Sequence, residues 1–177
     1  MAPIVEYRQA TPSDVPAIAG LHADSWRRNY RGALADSFLD GDVLADRLSV
    51  WGERLAHPGP DHSTIVAEDD GAVVGFAHTI FDDHPAWGAL LDNLHVADAM
   101  KRRGVGRDLM AETATTVVAQ TPSTGLYLWV LEQNTAAQAF YGALGGRCVE
   151  RGFGSPPGGG HPPRLRYAWP DPTVLLG

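Results

Sequence analysis

Between Ala89 and Leu131 the chain carries an apolar strand pattern, a basic glycine-containing bend, an amphipathic helix pattern and a second apolar strand. Strands joined through a helix lie parallel, with the helix crossing one face of the sheet. The strands are Ala89–Val96 and Thr124–Leu131. The helix is marked by Leu109, Met110, Thr113, Val117 and Val118. This one unit commits the chain to a sheet with a parallel pair and at least one helical layer.

The remaining segments add antiparallel strands and more helices. Ile4–Arg8 alternates and reads as a strand, and Ala10–Asp14 gives a turn with Thr11 or Ser13 as helix cap. Ile18, Leu21, His22 and Trp26 recur at helical spacing, and that helix ends before Gly32. A second helix runs over about Val43–Leu55, with Leu44, Leu48 and Trp51 on one face, until His57-Pro58-Gly59-Pro60 breaks it. Ser63–Glu68 and Ala72–Phe81 form a hairpin around Asp69-Asp70-Gly71. Asn134 to about Leu144 is a short helix stopped by Gly145-Gly146, followed by strands at Arg147–Phe153 and Arg164–Trp169. Gly154–Pro163 holds four Gly and four Pro in ten residues and reads as a mobile loop. The order β-α-α-β-β-β-α-β-α-β-β predicts an α/β (α+β) architecture: a mixed, mostly antiparallel sheet flanked by helices, in a single domain over residues 1–177.

Composition narrows the function. A hydrophobic share of 44% in 177 residues supports one well-filled core. No apolar run approaches the ~18 residues of a membrane span, and the N-terminus lacks a basic stretch followed by an apolar one, so the expectation is a cytoplasmic protein without membrane attachment. The lone cysteine, Cys148, excludes a disulfide framework and a multi-thiolate zinc site, and reads as a buried structural thiol. The seven histidines show no metal-ligand pairing, so no metal is expected. A formal net charge of −7 disfavours nucleic acid as a partner.

Against that acidic background, four of the fourteen basic residues fall within Lys101-Arg102-Arg103-Gly104-Val105-Gly106-Arg107. Glycines 104 and 106 permit close backbone approach and unusual angles. The first amides of the following helix lack internal partners and carry partial positive charge. Together these features describe an anion site suited to a phosphorylated cofactor; the plainer alternative is a glycine turn before a solvated basic helix end. The segment is not a Walker loop, and Leu109 stands where a dinucleotide fingerprint needs its third glycine.

Leu91-Asp92-Asn93-Leu94-His95-Val96, Lys101–Leu109 and Asn134-x5-Phe140-Tyr141-x2-Leu144-Gly145, in this order, resemble the GNAT superfamily of acyl-CoA-dependent N-acetyltransferases. Ser25-Trp26 followed by Tyr30-Arg31-Gly32 is also common among bacterial members. Gly104 and Gly106 match the family's Gln/Arg-x-x-Gly-x-Gly/Ala loop, while Lys101 departs from its first position. The resemblance spans roughly residues 4–169. It implies acetyl-CoA (coenzyme A) as cofactor, and a bulged strand Ala89–Val96 splayed from Thr124–Leu131 around the pantetheine arm. Leu94, His95 and Val96 would offer main-chain groups to that arm, with the Val96 N–H polarising the thioester carbonyl. Lys101, Arg102, Arg103, Gly104, Val105, Gly106 and Arg107 would hold the pyrophosphate. Asn134 would meet the cofactor, cap its helix, or do both.

The implied reaction has two proton problems. An alkyl ammonium, with a reference pKa of ~10.4, must lose a proton, and the departing thiolate is helped by an acid. Tyr141 occupies the family's acid position; packing is its alternative role, and Phe140 reads as core. The family's Glu positions hold Leu90 or Leu91 and Trp129 here, which leaves Asp92, His95, His78 or Glu132 as base, Asn93 as the holder of a water, or a water chain with no single base. Direct transfer to the acceptor is expected. The acceptor is a small-molecule or peptide amine, met by the first two helices and the loop between the last strands. Trp26, Tyr30, Trp51 and Trp87 either line a pocket or fill the core, with Trp51 assigned to core. The acidic surplus, Asp82-Asp83 included, favours a cationic amine. The competing reading is a non-catalytic acyl-CoA sensor, which has no need of Tyr141. A homodimer is an option in the family.

Overall fold

The computed structural model describes residues 4–177. Strands β1 (Val5–Gln9), β2 (His62–Asp69), β3 (Ala72–His84), β4 (Gly88–Val96), β5 (Leu126–Leu131), β6 (Arg147–Phe153) and β7 (Pro163–Trp169) form one sheet in the order β1-β2-β3-β4-β5-β7-β6. Every neighbouring pair is antiparallel except β4 and β5. This is the mixed, mostly antiparallel sheet with a parallel pair that the sequence predicts.

The hairpin turn lies at Asp70-Gly71. Both residues have positive φ, 49° and 81°, the combination that matches the twist of the flanking strands. Helices α4 (Val105–Gln120) and α5 (Thr135–Ala143) cover one face, where Leu109, Met110 and Val117 pack with Ala77, Leu126 and Leu128. Helices α1 (Val15–Asn29) and α3 (Val43–Ala56) cover the other over β2 and β3, where Ile18, Trp51 and Leu55 meet Val66 and Phe76.

Two expectations need correction. The buried face of α3 is Val43, Arg47, Trp51 and Leu55, while Leu44 and Leu48 are exposed. Arg47 enters that stripe because its guanidinium lies 4.4 Å from the centre of the Trp26 ring, where its charge faces the aromatic π-system. The second departure is α2 (Asp36–Leu39), a single turn after α1 that the helical pattern missed. It matters because Gly158, in the long loop before β7, sits against it: a Cβ on Gly158 would lie 2.9 Å from the Phe38 Cβ. The loop forms no helix or strand, but Gly154 N–H closes its base by donating to the Pro162 carbonyl at 2.9 Å.

Candidate acyl-transfer site

The parallel pair is the most open part of the sheet. Only Ala89 with Leu126 and Leu90 with Tyr127 are in register. The β3–β4 ladder pairs His78 with Asn93 and Thr79 with Leu91, so Asp92 is an extra residue, a bulge that bends β4. Beyond it, β4 and β5 diverge and leave main-chain edges without a strand partner. Leu94, His95 and Val96 lie on the divergent part of β4, as do Leu128 to Leu131 on β5.

The basic bend follows. Asp98–Met100 make a 3-10 turn, and α4 starts at Val105 with no side-chain cap. Arg102 and Gly104 both have positive φ, 65° and 84°. Lys101, Arg102, Arg103 and Arg107 are all exposed. Lys101 lies 3.5 Å from Asp98, and Arg103 reaches the Met100 sulfur. The first amides of a sixteen-residue helix, at Val105, Gly106 and Arg107, thus stand uncapped among four cations, a suitable cradle for a diphosphate. Gly104 is needed for its backbone angle, since a Cβ there would meet nothing within 4 Å. Gly106 is needed for packing: its Cβ would lie 3.2 Å from the Phe140 ring.

Asn134 caps α5, its Oδ1 accepting from Ala137 N–H at 3.2 Å. Tyr141, on the same helix, packs edge-on against Trp169 with ring centres 6.1 Å apart. Burial pushes its phenol well above the ordinary value, and the nearby Tyr30 phenol adds to the shift. No side chain among the described residues hydrogen-bonds its hydroxyl. Tyr30, at the end of α1, stacks on Trp26 at 5.6 Å. Burial and the charge of Asp92 raise the Tyr30 phenol to about 12. Tyr30 is therefore within electrostatic reach of both Tyr141 and Asp92. Trp26 itself is buried in a cluster with Leu34, Leu39 and Val43, which places it beneath Tyr30 as support. The Gln133 amide donates to the Arg31 carbonyl at 2.8 Å and ties the α1 end to the turn after β5.

The candidate bases differ sharply in surroundings. His95 is buried against α1, with Nδ1 2.8 Å from Ser25 Oγ and its ring 4.5 Å from that of His22; burial first, then Arg47 and Lys101, lower its pKa to about 3. His78 contacts His62 at 3.0 Å and Thr64 at 2.7 Å, and burial also lowers it to about 3. Both imidazoles are neutral at physiological pH and already engaged. Glu132 is held by Arg151 at 2.8 Å, which lowers its carboxyl further. Asp92 and Asn93 at the bulge both accept from Arg54 on α3, at 2.7 and 2.8 Å.

Three arginines carry roles that the sequence reading did not assign: Arg54, Arg164 and Arg166. Arg164 and Arg166 alternate on β7 and flank Trp129 of β5, their guanidinium carbons 4.1 and 4.3 Å from its ring centre. Their period-two spacing was the available signal. The Asp82-Asp83 pair does not form a free acidic patch here, because Asp83 accepts from the Tyr127 phenol. Cys148 is exposed rather than buried, because β6 is the edge strand of the sheet, and no group of three or more His, Cys, Asp or Glu side chains among the described residues could hold a metal. No helix among the described residues is long and apolar enough to cross a membrane.

The family model described as the acetyltransferase (GNAT) family matches residues 21–145. The chain belongs to the GNAT acetyltransferase family. It is 26% identical over 175 residues to an uncharacterized N-acetyltransferase, YuaI, of Bacillus subtilis, covering 97% of this chain and 96% of that one. It is 30% identical over 143 residues to the probable N-acetyltransferase Rv2775 of Mycobacterium tuberculosis, covering 77% of this chain and 76% of that protein. The crystal structure of the PaiA N-acetyltransferase from Thermoplasma acidophilum, in complex with coenzyme A, superimposes with a TM-score of 0.72 at 16% identity, over 94% of this chain and 99% of that one. The likeness at this level of identity is one of fold: a mixed sheet with one parallel pair, flanked by helices.

Proposed function

We propose that the protein transfers an acetyl group from acetyl-CoA to a primary amine by direct attack within a ternary complex. The observation that carries this reading is the uncapped start of α4, with its left-handed Arg102 and Gly104, placed just beyond the diverging β4 and β5. The residues present fit coenzyme A: amides and cations over Lys101–Arg107 for its phosphates, and the main-chain groups of Leu94 and Val96, which the β3–β4 register turns away from β3, for an amide-bearing arm. When bound, acetyl-CoA supplies an acyl group activated as a thioester.

The chain's own residues then divide the work. The Val96 N–H is a fixed donor for a developing oxyanion, and a pre-oriented backbone donor loses little on reorganisation. Asp92 attracts the ammonium form of the acceptor and takes up the proton shed by its nitrogen, directly or through water. Arg54 fixes the bulge that presents Asp92. Tyr141 Oη holds a proton for the leaving sulfur, and its burial keeps it protonated across the working pH range. Asn134 sets the start of α5 and hence the position of Tyr141.

An amine panel assayed with acetyl-CoA for thiol release tests the reaction. Acetylation of at least one amine is the expected result. Tight coenzyme A binding without acetylation of any amine would move the reading to a non-catalytic acyl-CoA sensor.

A further inference from the structure

The face of the sheet opposite α4 and α5 carries an unusual group on β5 and β7. Leu126, Leu128 and Val130 of β5 belong to the core beneath α4 and α5, and Leu165 and Tyr167 of β7 pack against it. Alternation therefore turns Trp129, Arg164 and Arg166 to the other face. Helices α1 and α3 lie over β2 and β3 on that face, and these three side chains occupy the part beside the β4–β5 divergence. Trp129 is directly across from Arg166, and it lies beyond the last β4–β5 pair, so it borders the open segment.

The charges do not balance within the group. Arg166 is buried, with its guanidinium between Trp129 and Tyr127 at 4.3 and 4.7 Å, and its Nε donates to Glu150 at 2.8 Å. Arg166 Nη1 and Arg164 Nε are buried without a hydrogen-bond partner among the described residues. Arg164 forms no ion pair among the described residues, lies 4.1 Å over the Trp129 ring, and is pressed by its like-charged neighbour Arg166. Buried N–H groups of a guanidinium without an acceptor are rare and costly. A planar fork held on an aromatic plane is pre-organised for an oxyanion. Asp92, across the divergence on β4, lies within electrostatic reach of Arg164.

We propose that the acceptor is an amine bearing an anionic oxygen group, a carboxylate or a phosphate, and that Arg164, backed by Trp129 and Arg166, binds that group. This rests on the acetyl-transfer reading, in which Asp92 receives the amine end of the same molecule. A substrate with an ammonium at one end and an oxyanion at the other matches the opposed charges of Asp92 and Arg164. It also reverses the expectation drawn from net charge alone: the protein as a whole is acidic, but the ground beside the divergence is basic.

The test compares amines of equal length: a diamine, an ω-amino acid and an aminoalkyl phosphate, on wild type, Arg164→Gln and Arg164→Lys. Wild type is expected to acetylate the amino acid or the aminoalkyl phosphate with a lower acceptor KM than the diamine, and the preferred one identifies the oxyanion. Arg164→Gln should raise that acceptor KM about tenfold to a hundredfold, the loss of one charge-assisted hydrogen bond. The diamine KM should fall in Arg164→Gln, because a like charge is removed from the place its second ammonium occupies, and Arg164→Lys should recover part of the loss for the anionic acceptor. A preference for the diamine, or an unchanged acceptor KM in Arg164→Gln, overturns the proposal. Calorimetric binding of the amino acid and the aminoalkyl phosphate to the coenzyme A-loaded protein is measured in parallel. Should no amine be acetylated, the transfer reading falls, and the calorimetry still decides the anion site. Binding that weakens in Arg164→Gln upholds the site, and no binding by wild type refutes it.

Discussion

Arg54 and Asp92 are joined by a 2.7 Å hydrogen bond that links α3 to the bulge of β4. A second bond from the same guanidinium to Asn93, at 2.8 Å, makes Arg54 a two-point clamp on the extra residue that bends the strand. Both members of the Arg54–Asp92 pair are partly shielded, with side chains 25% and 31% exposed. Partial shielding limits both the Coulomb gain and the screening, so the pair contributes about 1 kcal/mol. Arg54→Met should therefore lower the unfolding free energy in urea by about that amount. It should lower kcat/KM by at least tenfold, because Asp92 is no longer held in place. Equal, small effects on both measurements would mean that Arg54 serves packing alone.

The two glycines of the basic bend should respond differently to substitution. Gly104 has φ +84° with no neighbour for a Cβ. Gly104→Val is opposed by backbone conformation only, at about 1–2 kcal/mol, or a few degrees of Tm for a chain of this size. Its effect on coenzyme A affinity should be far larger, because relaxing the angle turns the helix amides away from their ligand. Gly106→Ala meets the Phe140 ring and should shift α5, so its affinity loss should be accompanied by a lower kcat through Tyr141. Calorimetric titration with coenzyme A and steady-state rates separate the two. Unchanged affinity in Gly104→Val would remove the anion cradle from the site.

Tyr141→Phe keeps the ring that packs on Trp169 and removes only the hydroxyl. An acid catalyst of this kind contributes on the order of 10²-fold or more, so kcat should fall by about that factor while the acetyl-CoA KM stays within a few-fold. Burial raises the phenol above its reference value of ~10, so the wild-type proton is present throughout the assay range. The deficit should thus be the same at pH 6.5 and pH 9. A full rate for Tyr141→Phe at both values would make the residue a packing tyrosine.

These features differ in how much of them sequence can reveal. The hairpin at Asp70-Gly71 and the bend at Gly104 were legible because a positive φ is a local demand that few residues meet. Helix α3 was placed correctly but turned wrongly. Trp51 belongs to both the stripe Leu44-Leu48-Trp51 and the stripe Val43-Arg47-Trp51-Leu55, and the charged Arg47 counted against the second. Only the distant Trp26 ring explains why Arg47 goes inward. The Arg54–Asp92 contact joins residues 38 apart on different layers, so no spacing rule announces it. Likewise, His95 reads as a candidate base on its strand, and only the packing of α1 against it shows that it is buried and bonded to Ser25.

That burial gives the protein a pH dependence with a definite sign. His78 and His95 are held near 3, below the ordinary histidine value of ~6.5, and burial also lowers His22. Trp51 Nε1–H donates to His22 Nδ1 at 3.0 Å, which fixes His22 as the Nε2–H tautomer with that N–H unpartnered among the described residues. All three rings are therefore neutral in the folded state at neutral pH. The unfolded chain takes up their protons first as pH falls, so their stabilising contribution is complete above about 6.5 and is lost between there and about 3. At pH 5 each of His78 and His95 has given up about 2 kcal/mol relative to pH 8. Urea unfolding between pH 8 and pH 4.5 should show stability falling with pH across this window. His95→Gln, which keeps a polar partner for Ser25, should reduce the slope between pH 6 and 4.5 by close to one proton. A slope identical to wild type would mean that His95 is protonated in the folded protein, and it would return as a candidate base.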